Sequence, residues 1–216
     1  MSFFKNALLF VAISMPFVWC IGQTKLYVHP QAEDYVNTTN TIAILPFQVT
    51  MELRPKERER ISEEELKEME LETAVSIQKS MYSWFLTRKK RGKFSKEIQD
   101  PNRTNNLLKD AGIDRQKLSE IDFVKLGEIL EVECVISGVF SAVKPTSVGV
   151  GIASWVFLGG STTTSKTTAN INFNDTRQGD LTVNYYKALR SGVVKDKDDL
   201  INVLMRKITR RIPYTK

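Results

Sequence analysis

Apolar positions along the chain change their period several times, and each change marks an element. Residues 41–50 (Thr-Ile-Ala-Ile-Leu-Pro-Phe-Gln-Val-Thr) are a short apolar, β-branched run that predicts a buried first strand with Pro46 near its exit. After the mixed-charge stretch 52–61, Ser62 followed three residues later by Glu65 forms a capping box, so a long helix begins there. Leu66, Met69, Thr73, Ile77, Met81 and Trp84 recur at three- and four-residue steps, with Glu63, Glu64, Lys67 and Glu68 on the other side. That stripe predicts packing on a sheet as core, not a cofactor pocket. Gly92 ends the helix, and 93–99 reads as a short extended piece. Asp100-Pro101, an N-cap residue followed by proline, opens a second helix to about Ala111, with Gly112 as its stop. A further helix over 122–130 turns Phe123, Leu126, Ile129 and Leu130 inward. In the strand predicted over 131–143, Cys134 and Ile136 face one way and Val135 and Val139 the other, which places it centrally in the sheet.

Residues 167–173 and 181–189 alternate apolar and polar positions around Asn174-Asp-Thr-Arg-Gln-Gly179, the pattern of an antiparallel hairpin. Leu200, Ile201, Leu204, Met205, Ile208 and Ile212 then share one side of a closing amphipathic helix. Together these elements predict an α/β sandwich with a mixed sheet of about four to five strands, helices packed on it, and a C-terminal amphipathic helix. Residues 23–40 are polar without a sustained period and read as a flexible lead-in arm, so a single domain covers 41–216.

Within that domain, 145–165 carries no charge and is rich in glycine, an apolar insert too short for a spanning helix. Val148, Val150, Ile152, Trp155, Val156, Phe157 and Leu158 are its candidate contacts with a partner, a neighbouring subunit or a membrane face.

Residues 1–22 hold one positive charge, Lys5, and then an uncharged apolar stretch, the form of an export signal. Cleavage after Gly22 is the favoured reading. Lipidation at Cys20 ranks below it, because Phe17, Val18 and Trp19 are bulky where a lipoprotein signal has a small residue; a retained anchor ranks close to lipidation. Cleavage leaves Cys134 as a single thiol, so stability must come from packing. With 216 residues, 42% hydrophobic and 26% charged, the chain has enough apolar material for a core.

The formal net charge of +6 is a mild bias. Part of it is gathered in Arg88, Lys89, Lys90, Arg91, Lys93 and Lys96, candidate contacts for an anionic group, with a second cluster at Arg206, Lys207, Arg210 and Arg211. The alternative is that both clusters offset the negative ends of helices.

Catalytic patterns are weak. His29, the single histidine, has no partners at metal or triad spacing, and Gly159-Gly-Ser-Thr162 lacks the lysine of a phosphate loop. Glu63, Glu64 and Glu65 fit the dipole of a helix start. No catalytic residue, cofactor or metal site is therefore predicted, and no nucleic acid partner, since the basic cluster lacks an aromatic platform.

Three blocks carry a resemblance: Ile42-Ala-Ile-Leu-Pro-Phe47, the stretch 94–108, and the stretch 126–138 from Leu126-Gly127 to Ser137-Gly138. With the turn 174–181 and the Pro-Tyr ending at 213–214, their order over 41–214 resembles the superfamily of curli-secretion (CsgG-like), TolB amino-terminal-like and penicillin-binding-protein-activator (LpoB-like) envelope lipoproteins. The resemblance implies an exported, non-enzymatic binding or assembly module, periplasmic or associated with the outer membrane. Its partners would be an envelope protein or further copies of itself, with contact to the outer membrane among the expectations. Membership of an oligomeric, membrane-inserting secretion assembly is the second reading, and an uncharacterised enzyme or anionic-ligand binder the third. The long charged stretch after Phe47, the absence of the usual tryptophan near 183–185 and the lack of a lipobox depart from the family pattern.

Overall fold

A computed structural model describes residues 24–53, 55–143, 166–190, 205, 206, 208 and 212–215. The leader 1–22, the insert 145–165 with its seven candidate contacts, and most of the closing helix lie outside the described residues.

The α/β sandwich read from the sequence is what the chain forms. Among the described residues its mixed sheet has seven strands, more than the four to five expected. These are β1 (Thr24–Val28), β2 (Thr41–Ile44), β3 (Gln48–Glu52), β4 (Glu97–Ile98), β5 (Cys134–Val143), β6 (Lys166–Asp175) and β7 (Leu181–Arg190), in the order β1-β7-β6-β5-β2-β4 with β3 also on β5. The helices are α1 (Ala32–Thr38), α2 (Pro55–Arg58), α3 (Glu63–Lys90), α4 (Pro101–Asp110) and α5 (Phe123–Leu130), with a 3-10 turn at Arg115–Glu120.

Alternation along the central strands divides the core in two. Ile42, Ile44, Cys134 and Ile136 face Ile77, Met81 and Phe85 of α3, joined by Met205, Ile208 and Ile212. Ala43, Leu45 and Val135 face Leu108 of α4, Leu118 of the 3-10 turn, and Leu126 and Leu130 of α5. The sheet is thus covered on both sides at β2 and the start of β5, as predicted for a central strand.

Two expectations are corrected. The lead-in arm is β1 and α1: β1 pairs antiparallel with β7 from Thr24↔Lys187 to Val28↔Val183, and buried Lys187 donates from Nζ to Thr24 Oγ1 at 2.8 Å. A polar five-residue strand at a sheet edge has one neighbour and a shallow burial pattern, so its period is faint in sequence.

The single strand over 41–50 is two. Both halves run parallel to β5, but from Ile44 to Gln48 the chain takes four steps while β5 takes three from Ile136 to Val139. Pro46 cannot donate to the ladder and sits in this break. The Ile44 carbonyl, beyond the reach of short β4, accepts instead from Gln78 Nε2 at 2.6 Å, and Gln78 is held by reciprocal bonds with Asn105.

The extra residue drops the Phe47 ring over Gly138, where a Cβ would lie 2.3 Å from Phe47 Cε1 and 2.8 Å from the Asn170 carbonyl oxygen. A similar approach brings α5 onto the β6–β7 turn: a Cβ on Gly127 would lie 2.3 Å from Thr176 Cβ. Thr176 is itself fixed by bonds from Oγ1 to the Val132 oxygen and from N to the Glu133 oxygen. The Leu-Pro-Phe, Leu-Gly, Ser-Gly and Asp-Thr blocks are therefore the places where elements meet backbone to side chain.

Helix α3 begins at the predicted capping box: Ser62 Oγ accepts from Glu65 N at 3.1 Å and Glu65 Oε2 from Ser62 N at 2.9 Å. Ser62→Ala should lower stability by about 1 kcal/mol, read as a shifted urea midpoint at unchanged slope. Asp100 and Asp122 cap α4 and α5 more simply, each carboxylate accepting from the amide two residues on, Asn102 N at 2.7 Å and Val124 N at 2.6 Å. The stripe of α3 is buried at Thr73, Ile77, Met81 and Trp84, whereas Leu66 and Met69 are only half-buried, because the first turns of the helix extend past the core.

Candidate binding surfaces

Strand β3 has β5 on one side, and its other edge faces the first half of α3 across a cleft of about 570 Å³. Phe47, Val49, Leu66, Leu71 and Ala74 supply apolar walls, and Arg58, Glu63, Lys67 and Glu70 a charged rim. The outward direction of the edge is fixed by Met51, whose N–H donates to Glu70 Oε1 at 2.8 Å. Val49, two residues earlier, presents its backbone groups the same way. Leu71, 36% exposed, projects from α3 beside this edge. Arg58 and Glu63 are paired across the mouth. The carboxylates of the cleft are thus engaged in holding strand and helix, and the arrangement is suited to receiving an extended segment by backbone pairing and apolar contact.

On the sheet face opposite α3, the strands beyond α5 present a different surface. Pairing aligns Tyr27, Asn184, Asn172 and Ser137 in one row across β1, β7, β6 and β5. The next row runs Lys25, Tyr186, Asn170, Val139 and Gln48, ending on β3. Asn184 Nδ2 donates to Asn170 Oδ1 at 2.6 Å and to Asn172 Oδ1 at 2.5 Å, tying three amides into one unit. Val139 is 39% exposed although it sits on the central strand, and Tyr27 is 46% exposed. Leu118, Ser119 and Phe123 form a step along this face, with a hollow of about 170 Å³ between them and Ser137, Val139 and Asn172.

The basic cluster is divided. Arg88 lies over the Trp84 ring with its guanidinium carbon 4.7 Å from the centroid, and Lys89 pairs with Glu97. Lys96 donates from Nζ to the Val36 and Thr39 carbonyls at 2.6 and 2.7 Å, closing the C-terminal end of α1. Lys90, Arg91 and Lys93 are exposed beside them. Arg206 is exposed, and the other members of the second basic cluster lie outside the described residues.

His29, expected in a flexible arm, instead follows β1. Its Nδ1 accepts from Gln31 N at 3.1 Å and its ring meets Tyr35 edge-on.

Buried groups with titratable protons are held neutral. Burial pushes the Cys134 thiol up from 9.0 to about 12. The Tyr35 hydroxyl donates to Asp180 at 2.5 Å, which with partial desolvation pushes it up from 10.0 to about 12. Burial also raises Tyr214. Each group holds its proton more tightly in the folded chain, so between the unfolded and folded values only the unfolded chain sheds protons, and rising pH favours it. Stability from Cys134 and Tyr35 is therefore complete below about pH 9 and is lost between about 9 and 12. Urea melts at pH 8, 10 and 11 should show this fall, and Cys134→Ala should make it shallower. The same burial makes Cys134 unreactive toward thiol reagents at pH 8 until the chain unfolds.

The capping box, the hairpin and the basic cluster are visible in the sequence, but neither the β3 edge nor the amide face is. Asn170 and Asn172 at a spacing of two were the available signal for the second; the first had none beyond Pro46.

No family model matches the chain, and no curated protein is significantly similar to it. Among solved structures the chain is similar to lipoprotein GNA1162 from Neisseria meningitidis, at 13% identity over 80% of this chain and 95% of that one, with a TM-score of 0.41. It is similar to the PelC dodecamer from Paraburkholderia phytofirmans, at 9% identity over 91% and 99% with a TM-score of 0.38. LpoB from E. coli is similar at 7% identity over 88% and 81%, with a TM-score of 0.38.

Proposed function

We propose that this chain is an exported, non-enzymatic binding or assembly module of a bacterial envelope, related to the superfamily its residue blocks resemble. The observation that carries the reading is the cleft between β3 and α3, where a strand edge that pairs with no other strand among the described residues faces apolar side chains and the acidic group nearest the edge is engaged with its backbone. An extended segment of an envelope protein or of another copy adds to β3 there, with Val49 and Leu71 against it. Export rests on the pattern of 1–22; since β1 begins at Thr24, cleavage after Gly22 would leave every described strand whole. A photo-reactive residue at position 49 of the exported chain should give discrete adducts that Leu71→Asp removes. Turnover of a substrate by the purified chain, or adducts indifferent to Leu71→Asp, would overturn the reading.

The membrane-inserting alternative draws on one further observation. Strands β5 and β6 stay paired as far as Val143↔Lys166, so the uncharged stretch 145–165 is joined to two neighbouring strands. A chain lacking 148–160 should keep its fold and, on this second reading, lose binding to anionic liposomes; equal liposome binding by both forms sinks it.

A further inference from the structure

The amide face beyond α5 is unusual for a solvated sheet. Most of the chain's surface is mixed in charge, yet the two rows across this face hold a single charged side chain, Lys25. A face kept in water only for solubility is normally studded with Lys and Glu, whereas this one carries amides, hydroxyls and two tyrosines. It is not covered: Tyr27 and Val139 are both well exposed, one at the sheet edge and the other at its centre.

Neutral amides offer donors and acceptors without a charge preference. The bonds from Asn184 Nδ2 use the oxygens of Asn170 and Asn172, which orients all three side chains and leaves Nδ2 of Asn170 and Asn172 and Oδ1 of Asn184 for a ligand. Such a tied unit loses little rotamer entropy on binding. Tyr27 pairs with Asn184 and Tyr186 with Asn170, so the two rings flank the triad as diagonal neighbours on adjacent strands, about 7–8 Å apart. Aromatic rings with polar tips give an apolar platform that stays hydrated at its rim. Four strands side by side span about 15 Å, and the step at Leu118 and Phe123 walls the far end.

A ligand that matches this surface is flat, uncharged and rich in hydroxyl or amide groups, with apolar C–H faces to lay on tyrosine. We infer that the face formed by Tyr27, Tyr186, Asn170, Asn172 and Asn184 binds a neutral glycan chain. Within these two rows a polyanion would find Lys25 alone, and a largely apolar partner would strand the amides without hydrogen bonds. This site is separate from the β3 cleft and stands or falls without it.

The test is calorimetric titration of the mature chain, 23–216, with chitohexaose, cellohexaose and maltohexaose, and with heparin as the anionic comparison. At least one neutral oligosaccharide should bind, and heparin should not compete. Tyr27→Ala and Asn184→Leu should each weaken binding about tenfold, the loss of one good contact, while Lys109→Ala on the distant α4 surface leaves it unchanged. Thermal melts establish that each variant is folded; if Asn184→Leu is not, Tyr27→Ala, at an exposed edge position, decides. Failure of the folded chain to bind any of the three neutral glycans, preference for heparin, or affinity indifferent to both substitutions would overturn the assignment. So would a concentration-dependent dimer that the same substitutions dissolve, since the face would then belong to a second copy.

Discussion

Gly138→Ala should destabilise the fold by roughly 2–3 kcal/mol, against the gain of about 0.5–1 kcal/mol that alanine ordinarily brings to a strand interior. The added carbon would fall 2.3 Å from Phe47 Cε1 and 2.8 Å from the Asn170 oxygen. The ring is buried in the larger core and has little room to turn, and the oxygen belongs to the β6 backbone. Urea denaturation reads the loss directly. Combining Gly138→Ala with Phe47→Leu should cost less than the two changes added, because the smaller side chain removes one of the two collisions. Full additivity would show that the ring is not the obstacle.

Tyr214→Ala should cost about 4 kcal/mol, a large effect so near the end of a chain, where truncation is usually tolerated. Its ring stacks on Phe173 with centroids 5.4 Å apart, and its hydroxyl lies 3.3 Å from Thr182 Oγ1. It is almost wholly buried, together with Ile212, Met205 and Ile208 in the same core. Tyr214→Phe keeps the stacking and should cost only about 1 kcal/mol, the worth of the hydroxyl's hydrogen bond. Near-equal midpoints for the alanine variant and the unchanged chain would mean that the C-terminal residues do not close the core.

Elements announced by local chemistry are legible in the amino-acid order alone. The Ser62–Glu65 box, Asp100-Pro101 and the Asn174–Gly179 turn each satisfy or bend a few neighbouring backbone groups, and each stands where its residues predict. What depends on distant pairing is not legible in that way. Thr24–Val28 looks like a polar arm until Lys187 and Tyr185 lie beside it, and the two halves of the 41–50 run separate only because β5 counts one residue fewer. Leu66 and Met69 have the spacing of core positions, yet their turns pass beyond the sheet edge, where Leu66 helps to wall the cleft instead. The amide triad shows the same limit: alternation marks Asn170 and Asn172 as outward, but register alone brings Asn184 between them.

The placement of β1 has a consequence for how the molecule comes into being. Thr24 and Lys187, its anchoring pair, are 163 positions apart, so the first of the described strands to be synthesised is among the last of them to find its neighbour. Until β7 has emerged, that strand waits as a loose end, and β7 in turn leaves a raw border on the nascent sheet until the two zip together. A chain crossing a membrane amino end first would therefore remain open to wrong pairings for nearly the whole passage, the stage at which a holding chaperone would matter most.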